Sequence, residues 1–301
     1  KEAGEQMDVS GDQLSSDPIF DGDTEQWIKF ANSLRLKIAL RISEGFPALA
    51  AEHGSEAMLN ESALLSSNED NVAMKWGDDQ QNWSFNYNRY VFQNAQLDIL
   101  PNVNFHFLLN LKTYNDPRLF EIVEPSTNPI TIEDRILESG SATDSIRVRY
   151  KLPYFGRPLG GNGNIDGWGL NQNDNLLNGI RNDRFCRPKT EVFMQADMGF
   201  NIITYAELNF IKAEAQLKGW GGSQTAEKYY NAGISASFQQ YGAPGARSYR
   251  EQDGIKWGTS SIGENGLFSL VTSGISADPI DKITRQRWLA SFNQGHDIWC
   301  M

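Results

Sequence analysis

Trp27, Phe30, Ala31, Leu34 and Ile38 recur at 3.6-residue spacing behind Thr24, a residue suited to capping. The pattern predicts a helix from about Thr24 to Ser43, ended by Gly45 and Pro47, with that stripe in the core. Lys29, Arg35, Lys37 and Arg41 occupy its other positions, a basic face expected to pair with neighbouring carboxylates. A second helix is predicted from about Asn102 to Thr113, burying Val103, Phe107, Leu108 and Leu111. Asp116-Pro117 stops it, because a residue before proline is pushed out of the α region. His106 lies within this apolar helix, where a histidine is expected to be packed and hydrogen-bonded rather than catalytic.

The helical period returns late in the chain. Tyr205, Leu208, Ile211, Lys212 and Ala215 share one side of a helix that Gly219 ends. Ala226, Tyr229, Tyr230, Gly233, Ile234, Ser237 and Phe238 are in register on another, from about Thr225 to Tyr241. The short connection Gly219–Ser223 makes the two an antiparallel pair, and small Ala213, Ala215 and Gly233 beside bulky aromatics predict the close contact of tetratricopeptide-type stacks. Asp278-Pro279 opens a last helix that carries Ile283, Gln286, Arg287, Trp288, Ala290 and Phe292 up to Gly295.

Between these helices the pattern breaks down. Residues 60–84 are polar and irregular, and Trp76 and Trp83 stand there among acids and amides with no period that makes both core. From 121 to 200 only Ile146, Val148, Tyr150 and Leu152 alternate, with Arg147, Arg149 and Lys151 between them, predicting one short strand with a basic outer face. Gly160–Asn175 is a glycine- and asparagine-rich loop, longer than a connection requires.

Composition narrows the classes. With 301 residues and 40% hydrophobic positions the chain can bury one or two sizeable cores. Its net charge of -11 opposes binding to nucleic acid or anionic membrane, and no basic run offers an exception. Eight acids against Lys1 make residues 1–23, together with the start of the first helix, an acidic, solvated lead-in. Cys186 and Cys300 have neither metal-like nor redox-like spacing, and no apolar run approaches the roughly 18 residues of a membrane span.

The search for reaction chemistry is mostly negative. Gly161-Asn-Gly163 lacks the third glycine of a nucleotide loop, and His53, His106 and His296 have no zinc spacing. No serine sits in a nucleophile elbow, and no carboxylate pair stands out, so no catalytic residue is assigned. Asn162-Gly-Asn164-Ile-Asp166-Gly167 resembles the first half of a calcium loop, but Asn173 holds the closing position where a bidentate glutamate belongs. A solvated loop without metal is the expectation, and no cofactor is called for.

Four blocks in order resemble the SusD/RagB family. Trp27–Arg41 is similar to its Trp-x-x-Phe-Ala-Asn-Ser-Leu helix, Asn115–Leu119 to Asn-Asp-Pro-Arg-Leu, Tyr205–Ala215 to Tyr-Ala-Glu-x-x-Phe-x-x-Ala-Glu-Ala, and Gln286–Gly295 to a C-terminal Gln-Lys-Trp-Ile-Ala block. The resemblance implies a mainly α fold, a superhelix of tetratricopeptide-like helix pairs under a large, loop-rich, weakly β-containing face. It implies one domain over 1–301, incomplete at both ends: lead-in 1–23, helical 24–120, loop-rich ligand region 121–200, and helix pair plus last helix 201–301. By the same resemblance the protein is non-catalytic and sits on the outer face of a Gram-negative outer membrane. There it binds oligosaccharides or other bulky nutrients and delivers them to a SusC-like TonB-dependent transporter. Its lipid anchor would be N-terminal to the residues present.

Sugars are held by flat aromatic faces with amides, carboxylates and arginines at the hydroxyls. Trp76, Trp83, Tyr154 and Trp168, with Arg157, Asn164 and Asp166 nearby, are the candidate ligand residues, the loop of Tyr154 and Trp168 foremost. For any one of these aromatics, anchoring its loop to the scaffold is the weightier reading. Trp27, Trp220 and Trp288 lie on or beside the helix motifs and are read as structural. A secreted carbohydrate-active enzyme and a helical scaffold for protein or peptide remain alternatives.

Overall fold

The computed structural model describes residues 2, 6–9, 11, 16–77, 79–93, 101–127, 129–137, 145–157, 185–261, 274–292 and 294, with the backbone alone over 130–137 and 145–152. In chain order its elements begin with helices α1 (Thr24–Ile42) and α2 (Pro47–Leu59), strand β1 (Val72–Lys75), and helices α3 (Phe105–Thr113) and α4 (Leu119–Ile122). Then come β2 (Val123–Glu124), β3 (Ile130–Leu137), β4 (Ser145–Leu152), β5 (Arg187–Pro188), α5 (Thr190–Phe193) and β6 (Gly199–Ile203). The last helices are α6 (Tyr205–Leu217), α7 (Ala226–Gln240), α8 (Ala246–Arg250) and α9 (Pro279–Ala290). Residues 1–76, 199–264 and 274–301 form one compact unit, and 77–198 with 265–273 form a second.

The first unit is built from helix pairs. Helix α6 is buried on nearly every side, Ala206 to Ala213 without a break, because α7, α1 and α9 all pack against it. The predicted close contact of α6 and α7 is present: a Cβ on Gly233 would lie 2.7 Å from the Phe210 ring. Left-handed Gly219, Gly221 and Gly222 turn the chain between them. Each helix begins on a capping side chain, Thr204 on Glu207 N–H, Thr225 on Lys228 N–H and Asp278 on Ile280 N–H. Strands β1 and β6 pair antiparallel, Ala73 opposite Asn201, and deliver the chain into α6.

Two predictions about the first pair fail. Helix α1 is capped by Asp23 and buries Ser33, Leu36, Lys37, Ala39 and Leu40, whereas Ile38 of the predicted stripe is 49% exposed. The helix carries apolar residues on two sides, and packing selected the side that brings Lys37 to a buried carboxylate. The other side, Ala31, Leu34 and Ile38, lines an open cleft of about 340 Å³ with Arg35 and His53. Pro47, read as a stop, is also the first residue of α2. Gly54 of α2 accommodates Trp220, whose ring lies 2.1 Å from where a Cβ would stand.

The basic face of α1 pairs as expected, Lys29 with Asp70 at 2.9 Å, Arg35 with Glu56, and Lys37 with Glu207 at 3.1 Å. Asp17 accepts the Trp27 indole N–H at 2.7 Å and Phe20 meets that ring edge-on at 5.1 Å, so the end of the acidic stretch is fixed on α1 and Trp27 is half-buried.

The second unit is loop-rich with small antiparallel sheets, β2 with β5 and the β3–β4 hairpin, whose partner strand β3 was not predicted. Three segments lock its centre. Val103 N–H donates to the Cys186 carbonyl, Arg157 N–H to the Val103 carbonyl, and Phe105 N–H to the Arg157 carbonyl, at 3.0, 2.8 and 3.0 Å. Phe155 is buried between Phe105 and Phe185. Gly156 is required there, since a Cβ would stand 2.6 Å from Phe105 Cα. Beyond α3, Asn115 adopts φ of 46° and Asp116 binds Arg118 at 2.6 Å, both side chains fully buried. His106 is exposed on the first turn of α3, edge-on to Phe105 at 5.5 Å rather than buried, because Phe105 and Phe107 on either side take the core positions.

Candidate functional site

Both units expose aromatic rings, Phe46, Trp76 and Phe200 in the first and Phe85, Phe92 and Phe120 in the second. Ser84 anchors one part of the second unit's surface, its N–H donating to the Ala196 carbonyl at 2.8 Å and its hydroxyl to the Gln195 carbonyl at 2.6 Å. Asn86 adds a bond to the Phe193 carbonyl at 3.1 Å. From this footing Tyr87–Phe92 forms a π-helical turn, a wide coil that tends to occur at functional positions. Half-buried Trp83 packs edge-on to Tyr87 and Phe92, at 5.0 and 4.9 Å, and so backs a surface on which Phe85, Val91 and Phe92 are exposed.

Tyr154 and Arg157 stand on either side of the Phe155-Gly156 lock, at the end of β4. Tyr154 is half-buried with Phe120 edge-on at 5.6 Å, and its carbonyl accepts from Lys112 Nζ at 3.3 Å. Burial raises the Tyr154 hydroxyl above its ordinary range, as does nearby Cys186, and burial lowers the Lys112 ammonium. Burial pushes the Cys186 thiol up to about 12, so at neutral pH it is an inert core group rather than a nucleophile. Arg157 is exposed, its backbone held by bonds to Val103 and Phe105.

Of the other residues expected at a site, Trp76 follows β1 in the first unit and is 39% exposed. Asn164, Asp166 and Trp168, with the calcium-like segment, lie outside the described residues. Among the described residues no group of histidine, cysteine or carboxylate side chains could hold a metal ion. The structure thus places Trp83 in one aromatic cluster and Tyr154 in another. Exposed Phe85, Phe92 and Phe120 went unpredicted. The density of rings alternating with amides from Trp83 to Phe92 was the available signal.

A family described as SusD-like, starch-binding and associating with the outer membrane matches residues 1–300. The chain belongs to this SusD-like family. Solved structures with the same fold include a chitin-binding SusD homologue from Flavobacterium johnsoniae, 21% identical with a TM-score of 0.68, covering 99% of this chain and 55% of that one. A SusD homologue from Bacteroides thetaiotaomicron is 18% identical with a TM-score of 0.66, covering 99% and 56%. One from Bacteroides uniformis is 23% identical with a TM-score of 0.65, covering 96% and 54%. At such identities these likenesses establish the fold. The SusD-like chain spans little more than half the length of those structures. No curated protein matches it.

The geometry explains why widely separated blocks mark a SusD-like sequence. Fully buried Glu207 accepts from Lys37 at 3.1 Å and from Arg287 at 2.9 Å, so the first, third and last blocks meet at one carboxylate. Lys37 also donates to the Ile202 carbonyl at 3.2 Å. The second block is the buried Asp116–Arg118 pair. Both are read as scaffold, each buried within its own unit.

Proposed function

We propose that this SusD-like chain binds oligosaccharides without transforming them, on the extracellular face of an outer membrane, and passes them to a SusC-like TonB-dependent transporter. The observation that carries the reading is a family described by starch binding joined to a second unit that exposes aromatic rings beside amides and guanidinium groups. Such surfaces suit pyranoses, whose C–H faces stack on rings while their hydroxyls bond to carboxamides. Solved relatives of the same fold that are chitin-binding proteins support a glycan as the ligand class. Anchoring by lipid at the membrane is part of the same proposal.

Calorimetry of the chain with malto- and chito-oligosaccharides, followed by chromatography of the incubated ligand, tests it. Saturable binding with intact ligand is expected; released shorter products refute the non-catalytic reading, and absence of binding to any glycan in a broad array refutes glycan capture. Within this proposal the Gly160–Asn175 loop contributes Trp168, Asn164 and Asp166 to the ligand. Trp168→Ala should weaken binding, and unchanged affinity removes that loop from the site.

A further inference from the structure

Phe85, Asn88, Arg89 and Gln93 line a cavity of about 430 Å³ on the π-helical turn, within the roughly 300–1,000 Å³ of small-molecule pockets. The turn itself creates it. In an α-helix, at 3.6 residues per turn, positions 88 and 93 would point about 140° apart. Here the Gln93 N–H reaches the Asn88 carbonyl at 3.0 Å, a five-residue π bond, and both carboxamides come to one side. Gln93 Nε2 donates to Asn88 Oδ1 at 3.2 Å and Arg89 Nη1 donates to Gln93 Oε1 at 3.3 Å. This relay orients the three polar groups. It leaves Asn88 Nδ2 and the other guanidinium N–H groups without a partner among the described residues. Phe85 forms the apolar wall, held by Tyr90 at 6.2 Å and 90° yet 67% exposed.

We infer that this pocket is a subsite for one neutral pyranose unit of a glycan, with Phe85 stacking on the C–H face and Asn88, Arg89 and Gln93 bonding to its hydroxyls. An exposed ring of this size beside neutral amides complements a ligand that is apolar on its face and polar at its rim. A phosphate or other multiply charged anion is disfavoured, because the described lining offers one guanidinium in a chain of net charge -11. A dry protein contact is disfavoured by three polar side chains among the described lining residues. The assignment rests on the glycan-binding reading, and uses residues other than those proposed above from Tyr154 to Trp168.

The test measures dissociation constants of wild type, Phe85→Ala, Phe85→Trp and Asn88→Ala for maltohexaose and chitohexaose, with circular dichroism to verify folding. Loss of stacking should weaken the better ligand about tenfold in Phe85→Ala, and Phe85→Trp should retain or improve affinity. Asn88→Ala, which also breaks the relay, should weaken it several-fold, by about the share of one or two hydrogen bonds. Wild-type binding with both alanine variants within about twofold overturns the subsite and leaves the glycan reading standing. If wild type binds neither these nor any other glycan, the functional reading fails and the subsite with it.

Discussion

Replacing Glu207 by glutamine should cost the first unit more stability than any other single polar substitution in it. The carboxylate is fully buried and faces two cations that are themselves nearly so, Lys37 with 4% and Arg287 with 7% of the side chain exposed. Glutamine keeps the shape and one acceptor but removes the one carboxylate that both cations share away from water. Removing one partner of a buried ion pair costs about 3–5 kcal/mol, because the remaining charge keeps its desolvation penalty. For a unit of this size that corresponds to a fall in Tm of roughly 10 °C. Urea denaturation and calorimetry of Glu207→Gln, Lys37→Met and Arg287→Met, alone and combined with Glu207→Leu, provide the assay. The triple apolar variant should recover most of the loss, since an ion cluster replaced as a whole by packed hydrophobic groups is often neutral. A Glu207→Gln loss below about 1 kcal/mol, the scale of a solvent-exposed pair, would falsify the claim that the carboxylate neutralises a desolvated cluster.

Acid should loosen the first unit through Glu61. Burial alone would raise its carboxyl, but bonds from Lys212 at 2.5 Å, Tyr229 and the Ser223 N–H bring it down from 4.5 to about 2. A depressed carboxyl stabilises the fold above the ordinary value and loses that contribution as pH falls from 4.5 towards 2, roughly 2 kcal/mol after screening. Glu61→Gln should flatten this stretch of a stability-against-pH curve, and an unchanged slope would count against it. Gly233→Ala should destabilise the α6–α7 pair by about 1–2 kcal/mol despite the better helix propensity of alanine, because the new Cβ meets the Phe210 ring; a gain in Tm would show that Phe210 can move aside. Gly156→Ala should be worse, about 3 kcal/mol or more, since the obstacle is the Phe105 backbone; near-ultraviolet dichroism and limited proteolysis of 77–198 report the loss, and a wild-type pattern contradicts it.

Helices α6 and α7 were legible because their apolar period, capping residues and glycine stops agree with one another, and the start of α9 because Asp278-Pro279 marks it, although that helix ends at Ala290, short of the expected Gly295. Helix α2 was not, because Pro47 serves two roles at once, preventing α1 from continuing and opening the next helix, and a sequence shows only the first. At the site, the rings and amides of residues 83–93 were visible as composition, but a π turn has no sequence period that separates it from α. Its consequence, Asn88 beside Gln93, therefore appears only in three dimensions.

The Trp27–Arg41 block shows where the boundary lies. Sequence by itself determined that this segment is a helix, that its lysines and arginines need carboxylates, and that its motif belongs with three others. Tertiary structure decided which side enters the core. Ile38 is left 49% exposed while Lys37 is buried, a choice opposite to their hydrophobicities. The physical reason is 170 residues away in the chain: Glu207, brought by α6 and shared with Arg287 of α9, makes burial of that ammonium affordable where no local pattern could indicate it.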